Sequence, residues 1–74
     1  MKNYKDTSFL KNFGENLSRL RLVKGLSYRK MAQNCMIDHA DIKKYEKGET
    51  NLSLLTLKEL AKGLNIEAKE LLEF

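Results

Sequence analysis

Apolar residues recur every three or four positions along most of this chain, which is the period of one face of an α-helix. The first such run predicts a helix from about Phe9 to Lys24, capped by Thr7 or Ser8 and followed by Gly25. Its apolar face consists of Phe9, Leu10, Phe13, Leu17, Leu20 and Val23. Gly14 lies inside this helix. Because glycine weakens a helix by about 1 kcal/mol relative to alanine, we expect another element to approach the backbone closely there.

Two short helices separated by a tight turn are predicted in the middle of the chain. They run from about Tyr28 to Asn34, capped by Ser27, and from about His39 to Lys47, capped by Asp38 and followed by Gly48. Their apolar faces are Met31, Ala32 and Cys35 on the first helix, and Ile42 and Tyr45 on the second. Ala32 is small enough to let the two helices cross steeply. This spacing is typical of the helix-turn-helix that binds DNA.

The last third of the chain predicts two more helices, from about Leu54 to Gly63 after a Ser53 cap and from about Glu67 to Phe74. The buried face of the fourth helix consists of Leu57, Leu60, Ala61 and Leu64. Five helices joined by short loops indicate a compact all-α bundle. We therefore expect one domain at residues 9–74, preceded by a flexible basic arm at residues 1–8.

Charge is distributed unevenly along the 74 residues, whose formal net charge is +4. Residues 1–37 carry eight Lys and Arg against two acidic residues, a net +6, whereas residues 38–74 carry six Lys against eight acidic residues, a net −2. A small basic protein suggests a polyanionic partner. Ordinary solubility charge explains the composition alone equally well.

Several functional classes are disfavoured by what the chain lacks. With one cysteine and one histidine it can build neither a disulfide framework nor a zinc site, so we expect Cys35 to be a core thiol and no metal or other cofactor to be bound. It has no paired carboxylates or nucleophile and base arrangement for an enzyme. The absence of an apolar run or signal peptide predicts a cytoplasmic protein without a membrane partner. A single domain also makes a small-molecule ligand unexpected.

A set of residues in order over most of the chain carries a family resemblance. They are the LSRLRLVKGLS run ending at Ser27, then Met31, Ala32, Ile37, Ile42, Tyr45, Glu46, Gly48, Glu49, Asn51, Ser53, Leu54, Leu57, Leu60, Ala61, Leu64, Ile66, Leu71 and Leu72. This set resembles the lambda-repressor-like helix-turn-helix family, the Xre/Cro type of bacterial and phage transcription regulators. The proline-free loop from Thr50 to Ser53 is similar to a subgroup that includes restriction–modification controller proteins.

The resemblance implies a DNA-binding surface centred on the third predicted helix, which would lie in the major groove. Base reading falls to His39, Ala40, Lys43 and Lys44, of which Lys43 could instead reach a phosphate. Contacts to the DNA backbone fall to Ser27, Tyr28, Arg29, Lys47, Thr50 and Asn51. Tyr28 stands where the family usually has glutamine, and its hydroxyl can still donate a hydrogen bond.

Two further sets of residues follow from the resemblance and the apolar pattern. Arg21 and Glu46 are expected to form a partly buried ion pair that joins the first helix to the third, or else to be two unrelated surface charges. The apolar residues near the end of the chain suggest a dimer face together with the fourth helix, unless they only close a small core. Those residues are Ile66, Leu71, Leu72 and Phe74.

Three positions depart from the family pattern. Met36 replaces the usual turn glycine, so it is strained if its φ is positive, or else the turn has shifted. Asp38 replaces the usual hydroxyl cap. Asp41 would repel phosphates at the groove wall unless it accepts a hydrogen bond from a cytosine.

We therefore predict a sequence-specific, double-stranded DNA-binding transcriptional regulator, repressor-like and acting as a homodimer. The alternative is a protein-interaction module on the same fold, such as an antitoxin-like or partner-binding subunit with weak DNA affinity. The acidic residues of the reading helix favour that alternative.

Overall fold

The computed structural model of the protein describes residues 6–74, which form four α-helices followed by one short 3-10 helix. The helices are α1 (Thr7–Val23), α2 (Tyr28–Gln33), α3 (His39–Glu46), α4 (Leu54–Leu64) and the 3-10 helix (Ala68–Leu72). No strand occurs among these residues. The all-α prediction is confirmed, but the prediction of five α-helices is wrong, because the last element is a 3-10 helix.

The first helix begins two residues earlier than its apolar pattern predicted. Asp6 is its N-cap, and the Asp6 carboxylate accepts a hydrogen bond of 3.0 Å from the amide of Phe9. Thr7 and Ser8 therefore lie inside α1, and neither is the cap. Most of the predicted flexible arm, residues 1–5, lies outside the described part of the chain.

Serine caps begin two of the other helices, as predicted. The Ser27 hydroxyl accepts from the amide of Lys30 at 3.1 Å, and the Ser53 hydroxyl accepts from the amide of Thr56 at the same distance. Each cap satisfies an amide that has no partner within its helix, which fixes where α2 and α4 begin. Asp38 occupies the N-cap position of α3 but makes no side-chain capping hydrogen bond.

One apolar core receives side chains from every element. Its buried members are Phe13, Leu17, Met31, Ile42, Leu60, Ala61, Leu64 and Leu71. Ile42 is the one fully buried side chain of α3, and Met31 is the one fully buried side chain of α2. Each helix of the helix-turn-helix is thus anchored in the core by one fully buried side chain, and the face of α3 opposite Ile42 is available at the surface.

The backbone of α1 approaches the last turn of α3 at Gly14, as its position inside an apolar helix predicted. A Cβ atom at Gly14 would overlap the Glu46 carbonyl oxygen and lie 2.7 Å from the Tyr45 carbonyl oxygen. Just beyond this contact, Gly48 has a left-handed φ of 70° and packs against the backbone of Lys11. Glycine is therefore needed at both positions to hold the end of α3 against α1.

Hydrogen bonds from the Asn16 side chain join the 3-10 helix to α1. The buried side-chain amide of Asn16 donates 3.1 Å hydrogen bonds to the carbonyl oxygens of both Glu70 and Leu71, and its own oxygen accepts from Arg19 at 2.7 Å. Leu71 is held fully inside the core. Its predicted place on a dimer face is therefore wrong, because no part of its side chain reaches the surface.

Candidate nucleic-acid interface

The exposed face of α3 contains the predicted base readers. Ala40, Lys43 and Lys44 are exposed, and the side chain of His39 is 39% exposed. Positions 39, 40, 43 and 44 share one face of a helix, opposite the buried Ile42. The structure thus brings these four side chains together on one surface.

Both unexpected acids of this helix lie beside a basic group. The Asp38 carboxylate is 3.1 Å from Nδ1 of His39, and the Asp41 carboxylate is 4.0 Å from Nζ of Lys44. The positive charge of Lys44 reduces the repulsion that Asp41 would exert on a phosphate. Both acidic side chains are more than half exposed, so these contacts remain open to solvent.

The turn between α2 and α3 contains Met36 without left-handed backbone strain. Among the described residues, Asn65 is the one non-glycine residue with a positive φ, so Met36 is not strained in the left-handed region. Its amide donates a 2.9 Å hydrogen bond to the carboxylate of Glu59 on α4. Its side chain is 84% exposed. The carboxylate of Glu59 thus supports a turn that lacks the usual glycine.

An ion pair joins α1 to the last turn of α3. Nε of Arg21 lies 2.6 Å from Oε2 of Glu46, and Nη2 lies 3.2 Å from Oε1. Nη1 of Arg21 also donates to the carbonyl oxygen of Leu26 in the loop before α2, at 2.8 Å. Both side chains of the pair are less than one tenth exposed. Glu46 raises the pKa of Arg21 further above its ordinary value, chiefly through this hydrogen bond.

Tyr28, the first residue of α2, joins the same pair. Its hydroxyl donates a 2.9 Å hydrogen bond to Oε1 of Glu46, and its ring lies 4.0 Å from the guanidinium carbon of Arg21. Burial and the bond to Glu46 raise the pKa of Tyr28. The phenolic proton is therefore already used within the protein. This corrects the expectation that the Tyr28 hydroxyl is free to donate to a phosphate.

The Lys43 side chain also contacts the ring of Tyr28. Its ammonium lies 5.7 Å from the centre of the Tyr28 ring, within the range of a cation–π contact. The side chain thus points to the junction of α2 and α3. Of the two roles left open for Lys43, this position favours contact with the DNA backbone over base reading.

The remaining residues predicted to contact the DNA backbone flank α3 and begin α2. Ser27 and Arg29 are exposed at the start of α2, and Lys47, Thr50 and Asn51 are exposed just after α3. The Asn51 carboxamide oxygen accepts from the amide of Leu52 at 2.9 Å, which shapes the loop that leads to α4.

A second surface, away from the reading face, is apolar. Leu72 and Phe74 are each half exposed, and Ile66 is partly buried against the core. Sequence analysis missed two further members at the start of α4: Leu54 and Leu55 are 80% and 72% exposed. Their signal was present in the sequence, because Leu54 and Leu55 are apolar residues outside the predicted buried stripe of this helix.

No group of three or more His, Cys, Asp or Glu within residues 6–74 is arranged to hold a metal ion. In the same range, no helix is both long enough and apolar enough to cross a membrane.

Comparison with known proteins decides the family. A family model described as helix-turn-helix matches residues 17–71. Control protein C.BamHI of Bacillus amyloliquefaciens is 33% identical over 63 residues, which make up 84% of this chain and 78% of that protein. This chain belongs to the helix-turn-helix family. Its relatives are DNA-binding transcription regulators of the Xre/Cro-like type, which confirms the resemblance drawn from the sequence.

Solved structures of other helix-turn-helix proteins have the same fold. The restriction–modification controller protein C.AhdI from Aeromonas hydrophila superimposes with a TM-score of 0.82 at 37% identity, over 88% of this chain and 94% of that one. An HTH_3 family transcriptional regulator from Vibrio cholerae gives a TM-score of 0.84 at 28% identity, over 90% of this chain and 38% of that one. The similarity to controller proteins suggested by the proline-free loop is thus confirmed.

Proposed function

We propose that this helix-turn-helix protein is a repressor-like, sequence-specific regulator that binds double-stranded DNA as a homodimer. The observation that carries the proposal is the exposed face of α3, on which His39, Ala40, Lys43 and Lys44 lie together while Ile42 anchors the helix from behind. A helix fixed in this way fits the major groove, where each base pair displays a distinct pattern of donors and acceptors.

Each exposed side chain has a role that suits its chemistry. The Lys44 ammonium would donate to O6 and N7 of a guanine once it leaves Asp41, and His39 would bond a base edge. The Ala40 methyl would contact a thymine methyl. Lys43 would contact the DNA backbone at the edge of the groove; its ammonium lies 5.7 Å from the centre of the Tyr28 ring, at the start of α2, which supports this role.

Contacts to phosphates would surround this reading face. Arg29 and the backbone amides at the start of α2, next to Ser27, would hold one phosphate. Lys47, Thr50 and Asn51 would hold another at the far end of α3. These contacts would fix the orientation of α3 but would not distinguish one sequence from another.

Dimerisation would use the apolar surface at the other end of the molecule. Leu54, Leu55, Leu72 and Phe74 are all at least half exposed, and a second copy would remove their side chains from water. One protomer presents few base contacts, whereas two related by a two-fold axis would read half-sites about one helical turn apart. The dimer would therefore gain both affinity and specificity.

The decisive experiment is selection of bound duplexes from a random DNA pool, followed by binding titrations at several salt concentrations. We expect a site with two-fold symmetry, and a logarithm of the association constant that falls steeply and linearly with the logarithm of salt concentration. Sedimentation equilibrium should show a dimer that Leu55→Asp disrupts. Absence of saturable binding at about 50 mM salt would refute the DNA-binding role.

The lack of net positive charge on the reading helix favours one alternative function. Residues 38–47 contain three lysines and three acidic residues, so their formal charges cancel. Such a surface suits a protein-interaction module with weak DNA affinity. That function would be indicated if the selection recovered no preferred sequence while the folded protein still formed stable complexes with another protein.

A further inference from the structure

We propose that Tyr28 is a positioning residue for DNA recognition: through its hydrogen bond to Glu46 it sets the place of α3 relative to the start of α2, and its hydroxyl does not contact DNA. The inference rests on the proposed function, because positioning matters only if α3 reads bases. It assigns to Tyr28 a task different from the phosphate contact that its sequence position suggested.

The Glu46 carboxylate is the point where three helices meet. Arg21 of α1 donates to both of its oxygens, and Tyr28 of α2 donates to Oε1 at 2.9 Å, while Glu46 itself belongs to the last turn of α3. The carboxylate is thus fully satisfied inside the protein. Hydrogen bonds to a charged, nearly buried group are strong and directional, so this one can fix a relative position as well as stabilise it.

Tyr28 supplies a connection between α2 and α3 that packing alone does not. Within residues 6–74, its bond to Glu46 is the one side-chain hydrogen bond that links α2 to α3. The other links are the contact of the Lys43 ammonium with the Tyr28 ring and the apolar core that includes Met31 and Ile42. Apolar contact is non-directional and would tolerate a small rotation of α3 that the hydrogen bond prevents.

The relative position of these two helices is what couples phosphate contacts to base contacts. The start of α2 would be fixed on a phosphate near Ser27 and Arg29, and α3 would then present His39 and Lys44 to the bases. If α3 rotates against α2, the phosphate contacts survive while the base contacts are lost. Loss of the Tyr28 hydroxyl should therefore reduce discrimination between sequences more than it reduces affinity for any duplex.

The Tyr28→Phe variant tests this directly, because it removes the hydroxyl and keeps the ring that contacts Arg21 and Lys43. Its matched control is Tyr45→Phe, which removes a hydroxyl from α3 that makes no hydrogen bond among the described residues. The quantity to measure is the ratio of affinities for the selected site and for a scrambled duplex of equal length. Both titrations are run at one salt concentration, at a temperature where each variant is fully folded.

We expect Tyr28→Phe to lower this ratio by about tenfold, in line with the loss of a hydrogen bond to a charged group, and Tyr45→Phe to leave it unchanged. Equal loss of affinity for both duplexes, with no change in the stability of the free protein, would mean that the hydroxyl contacts a phosphate. A less stable protein with an unchanged ratio would mean that Tyr28 only supports the fold. Either result overturns the proposal.

A second measurement needs no DNA. Alkaline titration of the wild-type protein, followed by phenolate absorbance, should show a component that ionises above the ordinary pKa of tyrosine, and Tyr28→Phe should remove that component. If the component remains in Tyr28→Phe, the bond to Glu46 is absent and the proposal fails. Wild-type protein that shows the component but binds no DNA would instead refute the proposed function.

Discussion

Replacing Gly14 with alanine tests the close contact between α1 and the reading helix. The added Cβ would lie 2.7 Å from the Tyr45 carbonyl oxygen and from the Glu46 carbonyl carbon, whereas ordinary van der Waals contact begins at 3.4 Å. The Glu46 carbonyl oxygen would be closer still, so the two helices would have to separate by roughly 1 Å. Both sides of the contact are backbone, so no side chain can rotate away to relieve the overlap.

The cost can be worked out from two opposing contributions. Overpacking of this kind destabilises a protein by about 1–3 kcal/mol, and we take the upper end because the contact is rigid. Alanine in place of glycine inside a helix recovers about 1 kcal/mol. The free energy of unfolding should therefore fall by about 2 kcal/mol. In a domain of this size, that is a large part of the total stability.

Urea denaturation followed by circular dichroism measures this change. The control is Asn12→Ala at an exposed position of the same helix, which should stabilise the protein by about 0.5 kcal/mol through helix propensity alone. Gly14→Ala should also weaken recognition of the selected DNA site, because α3 is displaced from α1. If Gly14→Ala is as stable as Asn12→Ala, the two backbones do not approach each other as described, and our reasoning about this contact is wrong.

Four further substitutions test separate parts of the structure. Lys44→Ala should cost about 1–3 kcal/mol at one base position and relax preference there, whereas Lys47→Ala should weaken all duplexes alike; an equal effect of Lys44→Ala on every sequence would contradict its base-reading role. Asp41→Asn should raise affinity for every duplex about two- to threefold at low salt by removing a repulsive charge, and a loss confined to one base pair in binding titrations would show instead that Asp41 accepts from a cytosine. Asn16→Ala should lower the free energy of unfolding by about 2–3 kcal/mol in urea denaturation, because two carbonyl groups lose their donor, and an effect no larger than that of Asn12→Ala would refute this role.

The parts of the fold that were predictable are those encoded by neighbouring residues. Ser27 and Ser53 bond amides three residues ahead, so a cap followed by an apolar period was enough to place α2 and α4. Gly14 was informative because glycine destabilises a helix and is therefore expected where another backbone comes close. The carbonyl groups of α3 are that backbone. The start of α1 was misplaced because Asp6, Thr7 and Ser8 are all competent caps, and the sequence does not rank them.

The missed features depend on partners distant in the sequence. The Asn16 side chain donates hydrogen bonds to carbonyl groups that lie 54 and 55 positions later in the sequence. No pattern of neighbouring residues predicts such a contact. The site was predicted to the level of its helix and exposed face, which periodicity and family resemblance define together. The partner of the Tyr28 hydroxyl was not predictable, because it depends on how far α2 lies from Glu46 in three dimensions.

The bond between Asn16 and Leu71 also determines when this protein can fold during its synthesis. α1 is made long before Leu71, whose side chain completes its buried face. Until Leu71 has been made, the nascent chain lacks both that core side chain and the carbonyl groups that Asn16 holds, and closing so long a loop costs entropy that is not yet repaid. A nascent chain arrested before Leu71 should therefore remain unfolded and open to proteolysis.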